Sequence, residues 1–446
     1  MIENAAEPTA RIEAGLRNPA ASPGVAVLRL DLTDFRNHTA ARIETGGGSV
    51  VLTGPNGAGK TNILEALSFL APGRGLRRAR LNEIDRRAES AMPGGLAAEI
   101  PEPSSSASDS EDSLSEEAAS HLREVMSPGE TAAGAWRVSA RLATPTGEVT
   151  IGTGRDGNAG TGDRRIVRID GQTAKGQAAL AGLLNLVWLT PQMDRLFQEG
   201  ASPRRRFLDR LVFGYDAEHA SRLAAYEQAL RERARLLKQG GADPQWLGVL
   251  EETMAREGTA VAAARRDIVD RLDTAASVQG REQGPFPTPR LELVGEIDRW
   301  LFEAPALAVE ERFRAALQAG RRLDGEIGGA AQGPHRSDFV VRHRRRDTAA
   351  AACSTGEQKA LLIAIVLAHA RLQADLRGTP PVLLLDEVAA HLDSVRRVAL
   401  FEAILELGSQ AWLTGTDRPF FEPLRAHARF FEVAEGHVET GPPHGD

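Results

Sequence analysis

The sequence predicts an α/β fold interrupted by a helical lobe, and three features carry that prediction. A glycine-rich loop, "GPNGAGKT", stands between an apolar strand and a helix near the start of the chain. An apolar strand ending in acids, "PVLLLDE", stands near its end. Between them lie long Ala/Arg/Glu/Leu stretches with helical spacing.

Residues 1–24 are rich in Ala, Pro and Glu without periodicity and are expected to form a loose tail. "VLRLDLTDF" alternates Leu28, Leu30 and Leu32 with Arg29, Asp31 and Thr33, the pattern of a half-buried strand. "SVVLTG" is a short apolar strand entering the glycine loop, and "NILEALSFLAPG" follows with helical spacing at Ile63, Leu67 and Leu70. Residues 88–133 include "PEPSSSASDSEDSLSEEAAS", which lacks the apolar content to offset its ordering entropy, so a mostly disordered acidic insertion is expected. Strand alternation resumes with Trp136, Val138, Ala140 and Leu142 on one face, and "EVTIGTG" and "RIVRIDG" continue it as antiparallel strands joined by glycine turns. Long helices dominate 204–330, one bounded by Asp216 and Gly240, and neither long stretch sustains the heptads of an extended coiled coil. The α/β pattern returns in 331–446, so the helical lobe 204–330 is read as inserted between an amino-terminal part, 25–203, and a carboxy-terminal part of one α/β domain.

Composition narrows the classes open to such a chain. Its 446 residues are 42% hydrophobic and 26% charged, enough to bury a core. The single cysteine, Cys353, excludes an internal disulfide and a multi-cysteine metal site. No secretory signal is expected from the first residues. Apolar runs such as "ALLIAIVLA" fall short of the ~20 residues of a membrane span. A cytoplasmic protein without a membrane partner is the expectation. The net charge of −7 is unevenly spread: nine acids and one Arg between Glu99 and Glu130 leave the rest of the chain close to neutral. Locally basic segments, "GRGLRRAR", "PRRRF" and "RHRRR", keep a nucleic-acid face open.

Phosphate chemistry is the clearest signal. "GPNGAGKT" fits G-x-x-x-x-G-K-[ST] in full, in the strand-to-helix context that makes such a match credible. Gly54, Gly57 and Gly59 let backbone N–H groups turn toward phosphates, and the helix start adds partial positive charge. Lys60 would reach the β- and γ-phosphates of a nucleoside triphosphate, and Thr61 would hold Mg2+. "PVLLLDE" supplies the partner strand: Asp386 would bind the Mg2+ shell and Glu387 would orient and deprotonate an attacking water. In "STGEQKALLIAIVLA", Ser354 and Glu357 form an S-x-x-E capping box, so a helix begins there. Because the chain already has one phosphate cradle, the economical reading is that this second helix start completes the site of a second molecule in an expected homodimer, the alternative being a capped core helix.

At this point the motifs resemble a family. The P-loop, the late "STGEQ" and "LLLDE…HLD" are similar to the ATP-binding-cassette (ABC) head of SMC-like DNA-repair ATPases. More narrowly, "LRLDLTDFRNH", "LTPQMDRLFQEGASPRRRFLDRLV", "GPHRSDFVV" and "PVLLLDEVAAHLDSVRR" resemble the RecF family of bacterial recombination mediators. The resemblance implies an ABC-ATPase-type P-loop head, a mixed sheet with an antiparallel β subdomain, carrying an inserted helical lobe.

It also implies roles. Gly54, Pro55, Asn56, Gly57, Ala58, Gly59, Lys60 and Thr61 would hold the triphosphate of ATP, with Asn62 following and Arg36 beside the nucleotide. Gln192, or its neighbour Asp194, would contact Mg2+ and sense the γ-phosphate. Ser354, Gly356 and Gln358 would close over a partner's ATP, with Asp393 in a loop across the dimer interface. Thr416 or Asp417 would take the switch position. The family further implies slow DNA-dependent ATP hydrolysis, and binding to double-stranded DNA and single-strand/double-strand junctions. It implies work with RecR and RecO to load RecA in gap repair, replication restart and the SOS response. Arg74, Arg77, Arg78 and Arg80 are the candidate DNA contacts.

An ABC transporter ATPase subunit is the main rival, and the separation of 293 positions from Thr61 to Ser354 argues against it. The same stretch is too short for the arms of a chromosome-organising SMC protein. A nuclease would need a separate cluster of metal-binding acids.

Overall fold

A computed structural model of the chain describes residues 24–86, 135–156, 164–240, 243–279 and 284–441. The expected acidic insertion at 88–133, and the expected tail up to residue 23, lie outside the described residues.

In chain order the strands and helices are β1 (Ala26–Phe35), β2 (His38–Glu44), β3 (Ser49–Thr53), α1 (Lys60–Ser68), β4 (Arg137–Thr144), β5 (Gly147–Arg155), β6 (Arg165–Ile169), β7 (Gln172–Thr173) and β8 (Leu186–Leu189). Then come α2 (Ala201–Phe213), α3 (His219–Gln239), α4 (Pro244–Gln279), β9 (Pro289–Val294), α5 (Glu296–Glu303), α6 (Ala306–Ala319), α7 (Arg321–Ile327), β10 (Asp338–His343), β11 (Thr348–Ala349) and α8 (Thr355–Arg377). The chain ends with β12 (Val382–Leu385), α9 (Ser394–Leu407), β13 (Ala411–Gly415), β14 (Ala428–Ala434) and β15 (His437–Thr440). They fall into two compact units, Met1–Thr190 with Gly378–Asp446, and Pro191–Arg377.

The first unit holds two six-stranded sheets. One is antiparallel in the order β2-β1-β4-β5-β6-β7, and its alternating strands bury Leu30 and Leu32 of β1 and Val138, Ala140 and Leu142 of β4. The β4–β5 hairpin turns at Gly147 and the β6–β7 hairpin at Gly171, both with positive φ, as the glycine turns predict. The other sheet runs β15-β14-β3-β13-β12-β8, with β14, β3, β13, β12 and β8 parallel and β15 antiparallel. Strands β3, β12 and β13 are buried along their whole length, the signature of central parallel strands covered on both faces. One continuous apolar core joins these sheets to α1, and Phe35, Phe69 and Trp136 meet in it with ring centroids 5.2–6.2 Å apart.

The second unit is mainly helical, with an antiparallel sheet β11-β10-β9. The stretch from 244 forms one helix of 36 residues. Tyr226, Met254, Trp300 and Phe313 build its apolar core. A fully buried Arg233 donates to Glu251 (3.0 Å) and Asp324 (2.7 Å), and Asp209 accepts from Arg265 (2.7 and 2.9 Å) while lying 2.9 Å from His219. The unit starts before 204 and extends beyond 330, the limits expected from composition. Composition marks the Ala- and Arg-rich helices, whereas packing also recruits the segment from Pro191, the small sheet and α8. Helix α8 is buried almost all round, as its continuous apolar run predicts. No helix among the described residues is long and apolar enough to cross a membrane.

Candidate functional site

Strand β3 delivers the chain into the glycine loop. Gly54, Gly57 and Gly59 have φ of 145°, 85° and 114°, values L side chains rarely adopt. Gly54 also lies against β14, where an added Cβ would stand 2.1 Å from the Val433 carbonyl oxygen. No side chain caps the start of α1 and no acid sits in its first turn, so its N–H groups face an anion-attracting opening. Pro55, Asn56 and Gly57 are exposed, Ala58 and Lys60 buried. The Lys60 ammonium donates to the carbonyls of Gly54 (2.6 Å) and Pro55 (2.8 Å). Burial lowers its pKa, against the pull of the Glu387 and Asp386 charges.

Residues the sequence motifs do not single out hold the loop from behind. Asn37 donates its amide to the Ala58 carbonyl (2.9 Å) and accepts from Asn62 (2.7 Å). His38 lies with Nε2 3.2 Å from the Gly59 carbonyl and Nδ1 2.6 Å from that of Gly436, and its burial lowers its pKa. The Gly436 N–H donates to Ala58 (3.1 Å). The "FRNH" turn is thus a clasp for the loop.

Thr61 and Asp386 meet directly: the hydroxyl lies 2.9 and 3.1 Å from the two carboxylate oxygens. Asp386 is buried at the end of β12, and this burial raises its pKa while hydrogen bonds from Thr414 and Thr61 work against the rise. Thr414 of β13 donates to Asp386 (2.8 Å) and accepts the backbone N–H of Glu387 (2.9 Å). Glu387 is half-buried and adopts φ 52°, in the left-handed region.

Arg36, expected beside the nucleotide, is committed to the fully buried Glu65 of α1 through two bonds of 2.9 and 2.8 Å, and to the Glu83 carbonyl (2.8 Å). Arg77 joins the same carboxylate at 3.0 Å and Asn62 at 2.6 Å, so this candidate DNA contact also serves the fold around α1. Arg74, Arg77, Arg78 and Arg80 are all exposed. Asp393 is exposed and caps α9 by accepting from the Arg396 N–H (2.8 Å). Thr416 donates to Asp417 (3.0 Å). A cleft of about 360 Å³ opens beside Gly54 and Pro55, bounded by Thr416, Arg418 and Phe430.

In the second unit the capping box forms at the start of α8. The Ser354 N–H donates to Glu357 (3.1 Å) and the Glu357 N–H to the Ser354 hydroxyl (3.4 Å), with Arg346 holding the Glu357 carboxylate. Ser354 and Gly356 are exposed, whereas Gln358 is buried and braces the turn by donating to the Cys353 carbonyl (2.9 Å). Lys359, the next residue of α8, pairs with Asp194 at 3.3 Å, and Gln192 is exposed.

Similarity to known proteins follows the same residues. A model described as "AAA domain" matches 29–91, the stretch holding β1, the clasp and the P-loop. The "DNA replication and repair protein RecF" of Mesorhizobium japonicum is 44% identical over 412 residues, 92% of this chain and 97% of that protein. The protein of the same name from Rhizobium rhizogenes is 44% identical over 414 residues, covering 93% and 98%. The chain belongs to the RecF family. A solved structure of the recombination mediator protein RecF-ATPrS in the RecFOR pathway superposes with a TM-score of 0.74 at 20% identity, covering 95% of this chain and all of that one. The corresponding RecF-ATP structure gives 0.73. The RecF fold therefore extends over nearly the whole chain, and the transporter-subunit alternative falls away.

Proposed function

We propose that this RecF-family chain is an ATP-dependent DNA clamp serving recombination-mediated replication and repair. Each copy would contribute a P-loop and, to its partner's nucleotide, the capped helix start at Ser354. The observation that carries the reading is the Thr61–Asp386 pair at the mouth of an uncapped helix start, in a chain matching RecF relatives over nearly their whole length.

The residues present fit Mg2+ and ATP. No group of three or more His, Cys, Asp or Glu that could hold a metal by itself occurs among the described residues. One buried carboxylate and one hydroxyl do converge, the donor set Mg2+ uses when substrate phosphates and water complete its shell. Gly54 to Thr61 would hold the triphosphate, and Lys60 would exchange its loop carbonyls for phosphate oxygens. When bound there, Mg·ATP would supply a phosphoanhydride that can be cleaved and a charge for two heads to share. Glu387 would accept a proton from the attacking water, and hydrolysis would release the clamp. Gln192 or Asp194 would sense the γ-phosphate.

Double-stranded DNA and single-strand/double-strand junctions are the proposed ligands of the closed dimer, with RecR, RecO and RecA as functional partners. Arg74, Arg77, Arg78 and Arg80 would supply sequence-independent phosphate contacts, Arg77 while also pairing with Glu65 and Asn62.

Sedimentation with and without ATP and gapped DNA tests the reading. Wild type should pass from monomer to dimer only with ATP, and Lys60→Ala should stay monomeric. Ser354→Arg should bind ATP yet fail to dimerise. Normal dimerisation of Ser354→Arg would remove the in-trans role of that helix start.

A further inference from the structure

Thr414 sits two residues before the Thr416–Asp417 pair, on strand β13, and is almost fully buried. Its hydroxyl has one proton and two lone pairs, and the proton and one lone pair are used on the two acids at the end of β12. The proton goes to Oδ1 of Asp386 at 2.8 Å, and the lone pair takes the Glu387 N–H at 2.9 Å. The backbone ladder between β12 and β13 ends at Leu385–Leu413, so this hydroxyl makes the next cross-strand link after the ladder has stopped.

That link falls on an unfavourable conformation. Glu387 has φ 52°, in the left-handed region where a Cβ crowds the backbone. A residue stays there only when its surroundings hold it, and the Thr414 hydroxyl holds its N–H. Relaxation to the right-handed region would rotate the side chain away from its present direction.

We propose that Thr414 is a positioning residue for ATP hydrolysis: its hydroxyl locks the Glu387 backbone in the orientation that aims the carboxylate at the attacking water. This rests on the reading of Glu387 as the base. A purely architectural role, stitching β13 to β12, is already performed by the ladder through Leu383, Leu384 and Leu385.

The test compares full-length wild type, Thr414→Val and Thr414→Ser, with Mg·ATP binding measured by titration and phosphate release measured at saturating ATP with gapped DNA. Thr414→Val keeps the shape and removes the hydroxyl. It should lower kcat by about tenfold or more while the ATP Kd stays within about threefold. Thr414→Ser restores both bonds and should return kcat to within about threefold of wild type. Wild-type turnover by Thr414→Val, equal slowing in both variants, or loss of kcat only in step with ATP affinity would each overturn the assignment. Absence of phosphate release from wild type that binds ATP would instead remove the hydrolysis reading, and this inference with it.

Discussion

The Thr61 hydroxyl donates to the Asp386 carboxylate across 325 positions of sequence, joining the first turn of the P-loop helix to the end of the central strand. A hydroxyl and a carboxylate at 2.9 Å, with the carboxylate pKa raised by burial, form a site that a small divalent cation would relieve of its desolvation cost. Asp386→Asn should therefore uncouple ATP affinity from Mg2+. Titrations in Mg2+ and in EDTA should differ strongly for wild type and by less than about threefold for the variant. An unchanged Mg2+ dependence would move the metal away from Asp386.

Removing the carboxylate charge of Glu387 should separate clamping from release. Glu387→Gln should slow phosphate release by about 10²–10⁴-fold, the range expected for loss of a general base. Its ATP-induced dimer should then outlast that of wild type in a time course of sedimentation. Dimer lifetimes that do not lengthen would show that hydrolysis is not what opens the clamp.

The Glu65 carboxylate is fully buried and shared by Arg36 and Arg77, both partly exposed. Arg36→Ala would leave that charge with half its partners, at a cost of about 3 kcal/mol if the pair behaves as a buried one. Denaturant unfolding should show the loss. Arg36 therefore reads as a brace of α1, and ATP binding should weaken only in step with stability.

The arginines of 74–80 should divide the same way. Arg74→Ala, Arg78→Ala and Arg80→Ala should each lower the slope of log K against log salt for duplex DNA, by about 0.9 for every phosphate that the arginine neutralises. Arg77→Ala should lose stability first, because its guanidinium is spent on Glu65 and Asn62. A salt slope untouched by the Arg74, Arg78 and Arg80 substitutions would place the DNA elsewhere.

Much of this site was legible from sequence because its signals are local. The glycine spacing, the capping box at Ser354–Glu357, the apolar run of β12 and the alternation through Trp136 to Leu142 each sit within a dozen residues, and each formed. What stayed hidden is tertiary. Glu65 reads as one acid on an amphipathic helix until Arg36 and Arg77 fold onto it. Gln410 looks like a loop residue, yet it is buried and bonds both backbone groups of Val27 and the Gly48 carbonyl. Thr414 belongs to an apolar strand pattern in which nothing marks its hydroxyl as the link to Glu387. The limits of the second unit were displaced for a related reason: composition changes where helices begin, but packing gathers the small sheet and α8 as well.

Buried His369 and half-buried His335 should make the second unit acid-sensitive, and the sign follows from their partners. His335 donates from Nε2 to the Ala330 carbonyl (3.0 Å) and accepts the Tyr226 hydroxyl at Nδ1 (2.6 Å), an arrangement that fits the neutral ring. His369 lies with Nε2 2.9 Å from the Leu211 carbonyl, and its buried Nδ1 has no hydrogen-bond partner among the described residues, so a proton there would be an unpaired interior charge. Burial lowers both pKa values from 6.5 to about 4. Between those pH values the unfolded chain binds more protons than the folded one, so stability falls as pH falls. The slope is at most about 1.4 kcal/mol per pH unit for each histidine, and these two groups contribute none well above pH 7. Denaturant unfolding at pH 8, 6 and 5 should show a flat upper region and a decline below it. His369→Gln can still donate to Leu211 but does not titrate, so its decline should be shallower than that of wild type. An equally steep decline would assign the acid sensitivity to other groups.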